Sequence, residues 1–389
     1  MQMKNKVKSE KGIMTMYVTI AVVTFTIILV ALFSLAVATR RNQIKTLIKI
    51  KEVYEQDNNK KEQIYMEQKK KIELPSTSDT TPYYPDDTFR KDSSTDLDTG
   101  LVIEDKNKNE YVWIEVPRSL YANSSYNTKT TTADQKPTSS TDYDKIEYCL
   151  HKYTDYYRRN KYGTTLTDYT DTYCSDATTG LTSAQYTELK QKMLKSVYEN
   201  GGFWIGRYEA GITKNRTSSS TAITVVPLSK AGTAENAVYP YTYVTCSQAQ
   251  TLTSKLSTGK SYTSSLMFGV QWDLVLKHIE VKEVAKGTAL ATIQKALRSD
   301  STGLGNYGGS SIILTGSNEK YKTMNVYDLA GNVWEWTLEY TNYTKSPCVY
   351  RGGEFGWSGS TFPASTRDHG NLRPTDSRNM IGFRVTLYK

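Results

Sequence analysis

Apolar and polar positions divide the chain into a segment of membrane length, a charged helical segment, and a long region of short alternating runs. Residues 13–38 are 26 consecutive positions without a charged side chain. About 20 apolar residues in a helix cross a bilayer, so this segment is long enough to span one with some tilt. A cleaved secretory signal is the alternative, since Ala36-Val37-Ala38 fits a cleavage site. The apolar part of such a signal is usually about 7–15 residues, so the pattern favours an uncleaved transmembrane helix.

The flanking segments are polar and are of three kinds. Residues 1–12 form a basic leader, which we expect to be cytoplasmic because so little precedes the apolar segment. Residues 39–73 keep helical spacing, are rich in Lys and Glu, and lack Gly and Pro, which predicts a helical stalk. Residues 74–97 are rich in Pro, Ser, Thr and Asp and predict a polar linker. This arrangement predicts a single-pass protein of the cell membrane with an extracellular C-terminal domain, residues 98–389.

The C-terminal region shows short strand patterns between helical ones. Two apolar runs within residues 101–116 flank a polar turn and predict a β-hairpin. A helix is predicted over 182–198, and further helices begin near Val244 and Phe268. Residues 118–200 otherwise read as a polar, Tyr-rich insertion or mobile loop region. All six Trp lie beyond residue 110, which places the core in the C-terminal three quarters of an α+β protein.

The net charge of +9 is concentrated next to the apolar segment. Residues 1–12 contribute four Lys against one Glu, and residues 39–73 contain ten basic against six acidic side chains. Anionic lipid headgroups explain basic residues at these positions better than a nucleic-acid backbone does. The sequence therefore predicts a membrane-lipid partner and no nucleic-acid partner.

Three C-terminal motifs carry a family resemblance. They are Asn325-Val-Tyr-Asp-Leu-Ala-Gly-Asn-Val-Trp-Glu-Trp336, Arg351-Gly-Gly-Glu-Phe355 and Ile381-Gly-Phe-Arg-Val385. Together they resemble the formylglycine-generating enzyme (sulfatase-modifying factor) family, a branch of the C-type-lectin-like fold. Weaker family-like segments extend from about Gly100 to Lys389. The resemblance implies a loop-rich α+β domain with the C-type-lectin-like fold behind the transmembrane helix and stalk.

The residues that would perform oxidation in this family are missing. Its catalytic members carry a copper-binding cysteine pair soon after Arg-Gly-Gly, whereas residues 354–367 here contain no Cys. A related iron-dependent branch needs clustered histidines, and His151, His278 and His369 are far apart in sequence. The G-x-G-x-x-G match at 303–308 is not followed by a helical pattern and predicts only a Gly-rich loop. We therefore predict a protein that is not an enzyme and needs no copper.

Several residues have structural interpretations. The resemblance implies a structural calcium ion around Asn332 and Glu335, whose oxygens suit Ca²⁺. A salt bridge from Glu335 to an arginine is the alternative. Four arginines are candidates for bracing long loops through carboxylates or carbonyls: Arg351, Arg367, Arg378 and Arg384. An exported chain can form disulfides, and the predicted pairs are Cys149 with Cys174 and Cys246 with Cys348.

The most probable function is ligand binding through the loops between Gly356 and Asn379. Five side chains there are suited to contacts: Trp357, Phe362, His369, Asn371 and Arg373. The resemblance includes ligand-binding proteins diversified by retroelements, which implies a bacterial or phage-encoded surface protein with an extracellular glycan or protein ligand. Two alternatives remain. Lys11-Gly12-Ile13 resembles a type IV prepilin leader, although Tyr17 stands where pilins carry Glu, so a minor-pilin-like part of a pilus-like assembly is one. An enzyme with an atypical site on the same scaffold is the other.

Overall fold

The computed structural model describes residues 2–68, 72–127 and 139–389 in two compact units, 1–70 and 71–389. The first unit is a single helix, α1 (Gln2–Gln68), which runs through the predicted leader, membrane segment and most of the stalk. Among the described residues it is the one helix long and apolar enough to cross a membrane. Thr19, Thr24 and Thr26 donate their hydroxyls to carbonyls four residues earlier, at 2.8–2.9 Å. Their polar groups are therefore satisfied within the helix, as a bilayer requires.

The second unit contains six helices and seventeen short strands in its described part. The helices are α2 (Ser140–Tyr153), α3 (Asp176–Thr179), α4 (Ser183–Asn200), α5 (Cys246–Ser254), α6 (Gly269–Ala285) and α7 (Leu290–Arg298). The strands are β1 (Arg90–Lys91), β2 (Val102–Glu104), β3 (Glu110–Glu115), β4 (Tyr169–Thr170), β5 (Gly202–Gly206), β6 (Gly211–Ile212), β7 (Tyr239–Pro240), β8 (Thr263–Leu266), β9 (Gly305–Asn306), β10 (Lys322–Thr323), β11 (Val326–Tyr327), β12 (Ala330–Gly331), β13 (Trp334–Thr341), β14 (Cys348–Arg351), β15 (Arg367–Asp368), β16 (Ile381–Phe383) and β17 (Val385–Tyr388).

Two sheets organise this unit. The larger has the strand order β1-β2-β3-β5-β17-β8, and all its pairs are antiparallel. The smaller has the order β15-β14-β13-β16, with β4 also paired to β13. Strands β13 and β16 are parallel, so two of the motifs recognised in the sequence lie side by side. The predicted hairpin over 101–116 is present as β2 and β3.

The core is built on tryptophan rings, and four of them, Trp113, Trp204, Trp272 and Trp336, donate their ring N–H groups to partners. Trp113 and Trp204 are paired across β3 and β5, with ring centroids 5.0 Å apart. Trp336 and Trp272 donate to carbonyl oxygens, each at 2.9 Å. Trp334 is also buried, and because it lies two residues before Trp336, both rings lie on the same face of β13, where each contacts Tyr350. The predicted core location is confirmed.

Residues 74–97 are packed against the domain, so the predicted linker is wrong. Thr80 is fully buried; its hydroxyl donates to Gly201 O at 2.8 Å and accepts from Trp113 Nε1 at 2.8 Å. Phe89 is buried between Tyr111 and Tyr262, and β1 extends the larger sheet. The Pro, Ser and Thr content of this segment suggested mobility, but a few buried apolar residues and specific hydrogen bonds hold the segment against the domain.

The Tyr-rich insertion is folded over its described residues, with 128–138 lying outside the description. Its tyrosines include core residues, with Tyr121, Tyr157 and Tyr186 each at most 2% exposed. Asp171 accepts the backbone N–H groups of Gly269 and Val270 at 2.6 and 2.8 Å, and so caps the start of α6 from a distant segment. The interpretation as a mobile loop region is wrong for this part, because the insertion contributes to the core.

Two further predictions concern the start of a helix and the cysteines. Helix α5, predicted to begin near Val244, is capped by Thr245, which forms a capping box with Gln248. All four cysteines are thiols in the structure. The Cys246 thiol donates to Thr337 O at 3.4 Å. A hydrogen bond with Cys246, together with burial, raises the pKa of Cys348, so these two thiols lie in contact. Neither of the predicted disulfides, Cys149 with Cys174 and Cys246 with Cys348, is therefore formed in this structure.

Candidate ligand-binding face

A buried network of four charges holds the ends of the loop that follows Arg-Gly-Gly. Arg351, at the end of β14, donates to Glu339 at 3.0 Å and to Asp273 at 2.8 Å. Arg367, in β15, donates to the second oxygens of the same two carboxylates, at 2.6 Å for Glu339. All four side chains are at most 4% exposed. The network is neutral and joins α6, β13, β14 and β15, which fixes where residues 352–366 leave and rejoin the sheet.

A second buried pair ties the last strands together. Arg384 contacts Glu335 with three hydrogen bonds of 2.6–3.2 Å and donates to the carbonyl oxygens of Gly206 and Tyr327 at 3.0 and 2.8 Å. Arg378 is exposed, and its guanidinium donates to the carbonyl oxygen of its neighbour Ser377 at 3.4 Å. The bracing prediction is therefore confirmed for Arg351, Arg367 and Arg384 and is wrong for Arg378.

Two glycines let the loop pass close to the sheet. Gly352 and Gly353 have φ of +94° and +81°, a region that other residues rarely adopt. A Cβ on Gly353 would lie 2.4 Å from Phe362 O, so the two arms of the loop approach each other there. Tyr307 joins the same two arms by donating to the carbonyl oxygens of Gly352 and Phe362, each at 2.8 Å.

Trp357 and Phe362 form an aromatic series that runs from the surface to the core. Trp357 is 52% exposed and meets Phe362 edge-on, with centroids 5.4 Å apart. Phe362 is half-buried and meets the buried Trp334 at 5.1 Å. The exposed ring is thus supported from beneath by packed rings, which lowers the conformational entropy it would lose on binding a ligand.

The other three predicted residues lie on a turn near the end of the loop. The His369 ring stacks on Tyr343 at 4.5 Å, and its Nδ1 lies 3.0 Å from the Ser346 hydroxyl. Asn371 has φ of +56° and is exposed. Arg373 is 74% exposed and pairs with Asp376 at 3.2 Å. Asn371 and Arg373 thus face solvent, whereas His369 is half-buried.

Tyr169 is the residue that connects the two groups, and sequence reasoning did not identify it. It lines a cavity beside Phe362, and its ring centroid lies 6.5 Å from that of His369. Tyr169 belongs to β4, the strand by which the insertion joins β13. The high Tyr content of the insertion was a signal, but its proximity to the C-terminal loops depends on that strand pairing.

A larger cleft, of about 760 Å³, lies elsewhere at the base of the loops. Phe355 and Asn379 line it, whereas the five predicted ligand-binding residues do not. Arg216, its cationic residue, directs its guanidinium to the carbonyl oxygens of Thr242, Thr221, Ala222 and Tyr243 at 2.9–3.2 Å. The Arg216 guanidinium is therefore bonded to backbone carbonyl oxygens and is poorly placed to select a ligand.

The predicted calcium residues lie in a buried acidic cluster. Asn332 uses both ends of its amide, donating to Glu209 at 2.6 Å and accepting from Ile313 N at 3.0 Å. Glu335 is paired with Arg384, the alternative given by the sequence. Asp328 has one oxygen bonded to Gly316 N at 2.7 Å, while its buried Oδ1 has no partner. Burial, assisted by the charge of the nearby Glu335, raises the pKa of Asp328 to about 6.

Three buried carboxylates, Glu209, Asp328 and Glu335, thus share one arginine, Arg384. Burial and the charge of Asp328 raise the pKa of Glu209 well above its usual value. Carboxylate oxygens with an unpaired lone pair fit a Ca²⁺ ion. Asn332 is bonded at both ends of its amide and both oxygens of Glu335 are bonded to Arg384, so the unpartnered oxygen beside the predicted calcium residues is Asp328 Oδ1.

The comparisons with known proteins agree with the sequence motifs. Residues 237–388 match the family described as the sulfatase-modifying factor enzyme 1-like domain. No curated protein sequence matches the chain. Similar solved structures include Treponema denticola variable protein 1, at 17% identity and a TM-score of 0.34 over 49% of this chain and 85% of that one.

Two further solved structures are similar at the same level. PvdO from Pseudomonas aeruginosa has 17% identity and a TM-score of 0.32, over 49% of this chain and 82% of that one. CarF has 14% identity and a TM-score of 0.31, over 48% of this chain and 87% of that one. The family match includes the motifs around Trp334, Arg351 and Arg384. Over residues 237–388, therefore, this chain is similar to the sulfatase-modifying factor enzyme 1-like domain.

Proposed function

We propose that this chain is a non-catalytic, membrane-anchored surface protein whose C-terminal loops bind an extracellular ligand, a glycan or a protein. The observation that carries the proposal is the half-exposed Trp357, held on Phe362 and Trp334. Large aromatic side chains fixed on a rigid base are the residues that most often dominate binding energy. The buried charge network supplies the rigid base, because it fixes both ends of the loop.

The positions of the cysteines support a non-catalytic role. No cysteine lies in the loop from 354 to 367, and Cys246 and Cys348 are fully buried beneath the sheet. A buried thiol with a raised pKa is a poor metal ligand or nucleophile, since the thiolate is the reactive form. Formation of formylglycine in a cysteine-containing sulfatase peptide, with copper and oxygen supplied, would contradict this part of the proposal.

The membrane part of the proposal is supported by α1. Its apolar segment is long enough to span a bilayer, and basic residues flank it on both sides, where anionic lipids would attract them. Protease treatment of intact cells would test the orientation. Degradation of the 71–389 unit from outside is expected, and its protection would contradict the extracellular placement.

The test of binding is a glycan and protein array screened with the protein, followed by calorimetry on variants. Trp357→Ala should weaken binding of the selected ligand by about thirtyfold or more, since such anchors typically contribute 2 kcal/mol or more. Asn371→Ala should weaken it less. The control is Leu290→Ala, since Leu290 is also about half exposed but lies on α7. Unchanged affinity in both loop variants would contradict the proposal.

We also propose that a structural calcium ion is held in the cluster around Asn332 and Glu335, with the unpartnered Oδ1 of Asp328 as one ligand. A bound cation would supply the positive charge that the cluster of three carboxylates and one arginine lacks. Calcium should then raise the melting temperature by mass action, and a chelator should lower it. Asp328→Asn should abolish the difference between the two conditions. A melting temperature that is the same with calcium and with chelator would refute the calcium site.

A further inference from the structure

The insertion and the C-terminal loops form two walls of one cavity. The cavity has a volume of about 190 Å³ and lies between residues 159–169 and residues 361–367. Phe362, one of the predicted ligand-binding residues, is part of its wall. A binding site limited to the C-terminal loops would therefore omit half of the groups that a ligand in this cavity would meet.

The walls of the cavity are basic and contain no acidic residue. Arg367 is committed to the buried charge network, and Arg159 pairs with Asp155 at 2.5 Å. Lys161 differs, because its ammonium donates to the Ser360 carbonyl oxygen at 3.0 Å and no ion pair to it occurs among the described residues. A Lys ammonium can donate three hydrogen bonds, so Lys161 has capacity for an anionic group.

Aromatic rings and neutral polar groups complete the walls. The large ring of Tyr162 is 82% exposed, and the Nζ atom of Lys161 lies 5.4 Å from the centroid of that ring. Phe362 and Tyr169 offer further ring surface. The face of an aromatic ring carries partial negative charge, which suits the slightly positive C–H groups of a sugar ring. Hydroxyl groups such as that of Thr366 suit sugar hydroxyls.

The size of the cavity limits what can occupy it. Pockets for drug-sized ligands usually measure about 300–1,000 Å³, so this one fits a single ring with a small substituent. An acidic peptide would instead need an extended groove or an unpaired sheet edge. The small volume, the Lys161 ammonium without an ion-pair partner among the described residues, and the exposed ring favour a saccharide over a peptide.

We propose that this cavity binds one carboxylated sugar unit, whose ring packs on Tyr162 and Phe362 and whose carboxylate pairs with Lys161. This inference rests on the proposed binding function and names the ligand class for the same face. Sialic acids and uronic acids share the required chemistry of a pyranose ring and a carboxylate.

The test uses the full-length protein in a detergent without a sugar headgroup, with ligand-observed NMR titrations. The probes are methyl glycosides of N-acetylneuraminic acid and of glucuronic acid, with methyl glucoside as the neutral counterpart of the second. We expect at least one acidic glycoside to bind, and the neutral glycoside to bind at least tenfold more weakly. The relative affinity of the two acidic glycosides distinguishes the two sources of the carboxylate.

Variants separate the cavity from the rest of the face. Lys161→Met and Tyr162→Ala should each weaken binding of the acidic glycoside at least tenfold. Lys152→Met is the matched control, since Lys152 also lies over a tyrosine ring, at 5.5 Å from Tyr148, but does not line the cavity. A folded Lys161→Met variant with unchanged melting temperature excludes a loss caused by unfolding.

Three outcomes of the titrations would overturn the inference. Neither acidic glycoside binds the protein, the neutral glycoside binds as tightly as the acidic ones, or the Lys161→Met variant binds the acidic glycoside as tightly as the parent. A short polyglutamate peptide that binds in a Lys161-dependent way while the glycosides do not would also overturn it. If the array ligand depends on Trp357 but not on Lys161 or Tyr162, the inference fails and the proposed function stands. If that ligand depends on neither loop nor cavity, the proposed function fails separately.

Discussion

Replacing Arg367 by Met would test whether the buried charge network holds the C-terminal loop. In the structure this guanidinium bonds one oxygen of Glu339 and one of Asp273, and both carboxylates are nearly inaccessible to solvent. The change leaves two buried carboxylates facing Arg351 alone. Removing one partner from a buried ion pair typically costs about 3–5 kcal/mol, because the remaining charge is uncompensated. We expect a loss of that size in the free energy of unfolding at pH 7.

The pH dependence identifies the cause of that loss. Burial raises the pKa of Glu339, but the Arg367 and Arg351 guanidiniums more than offset this and hold it below its usual value. Without Arg367, we expect a carboxyl of the network to bind a proton more tightly in the folded than in the unfolded state. The variant should therefore gain stability relative to the parent as the pH falls, by up to about 1.4 kcal/mol per pH unit for one proton.

The assay is urea unfolding of residues 72–389 followed by tryptophan fluorescence, at several pH values between 5 and 7. The control is Arg373→Met, which removes an exposed pair with Asp376 and should cost no more than about 1 kcal/mol, without recovery in acid. The double variant Glu339→Gln/Arg367→Met restores neutrality and should be more stable than Arg367→Met. A loss below about 1 kcal/mol for Arg367→Met, or an unchanged pH profile, would refute the reasoning.

Three further outcomes are expected. Residues 72–389 should unfold cooperatively and be more stable than 98–389, because Phe89 and its neighbours are buried; equal melting temperatures for the two fragments would contradict this packing. Trp334→Ala should destabilise by about 3–5 kcal/mol in chemical denaturation, since the ring is buried between Tyr350 and Phe362, and a loss near zero would be inconsistent with that burial. Burial, assisted by Lys282, lowers the pKa of His278 to about 3, so its neutral form must be maintained in the folded state. The stability that the neutral His278 side chain contributes is present above about pH 6.5 and is lost as the pH falls toward 3. In thermal melts at pH 4–7, the His278→Asn variant should therefore lose less stability on acidification than the parent. Identical pH profiles for the variant and the parent would contradict this role of His278.

Some features follow from the sequence because they depend on local pattern or on a dense motif. An uncharged segment of 26 residues without Pro predicts a membrane-length helix whatever surrounds it, and α1 has that form. The motif around Trp334 and Trp336 indicated two buried rings, and both rings are buried on one strand. The arginines of the Arg-Gly-Gly and Gly-Phe-Arg segments were expected to brace loops, and Arg351 and Arg384 do so.

Other features were decided by contacts between residues far apart in the chain. Composition could not show that Thr80 lies beneath Trp113, or that Asp171 caps a helix that begins almost 100 residues later. Nor could it show that Asp328, and not Asn332, has the unpaired buried oxygen. The pairing of β4 with β13 brings Tyr169 beside Phe362 and creates the cavity between the insertion and the C-terminal loops. Local pattern determines which segments are helical, extended or apolar. A site assembled from several segments depends instead on strand pairing and on the pairing of buried charges, and both are determined only when the whole unit folds.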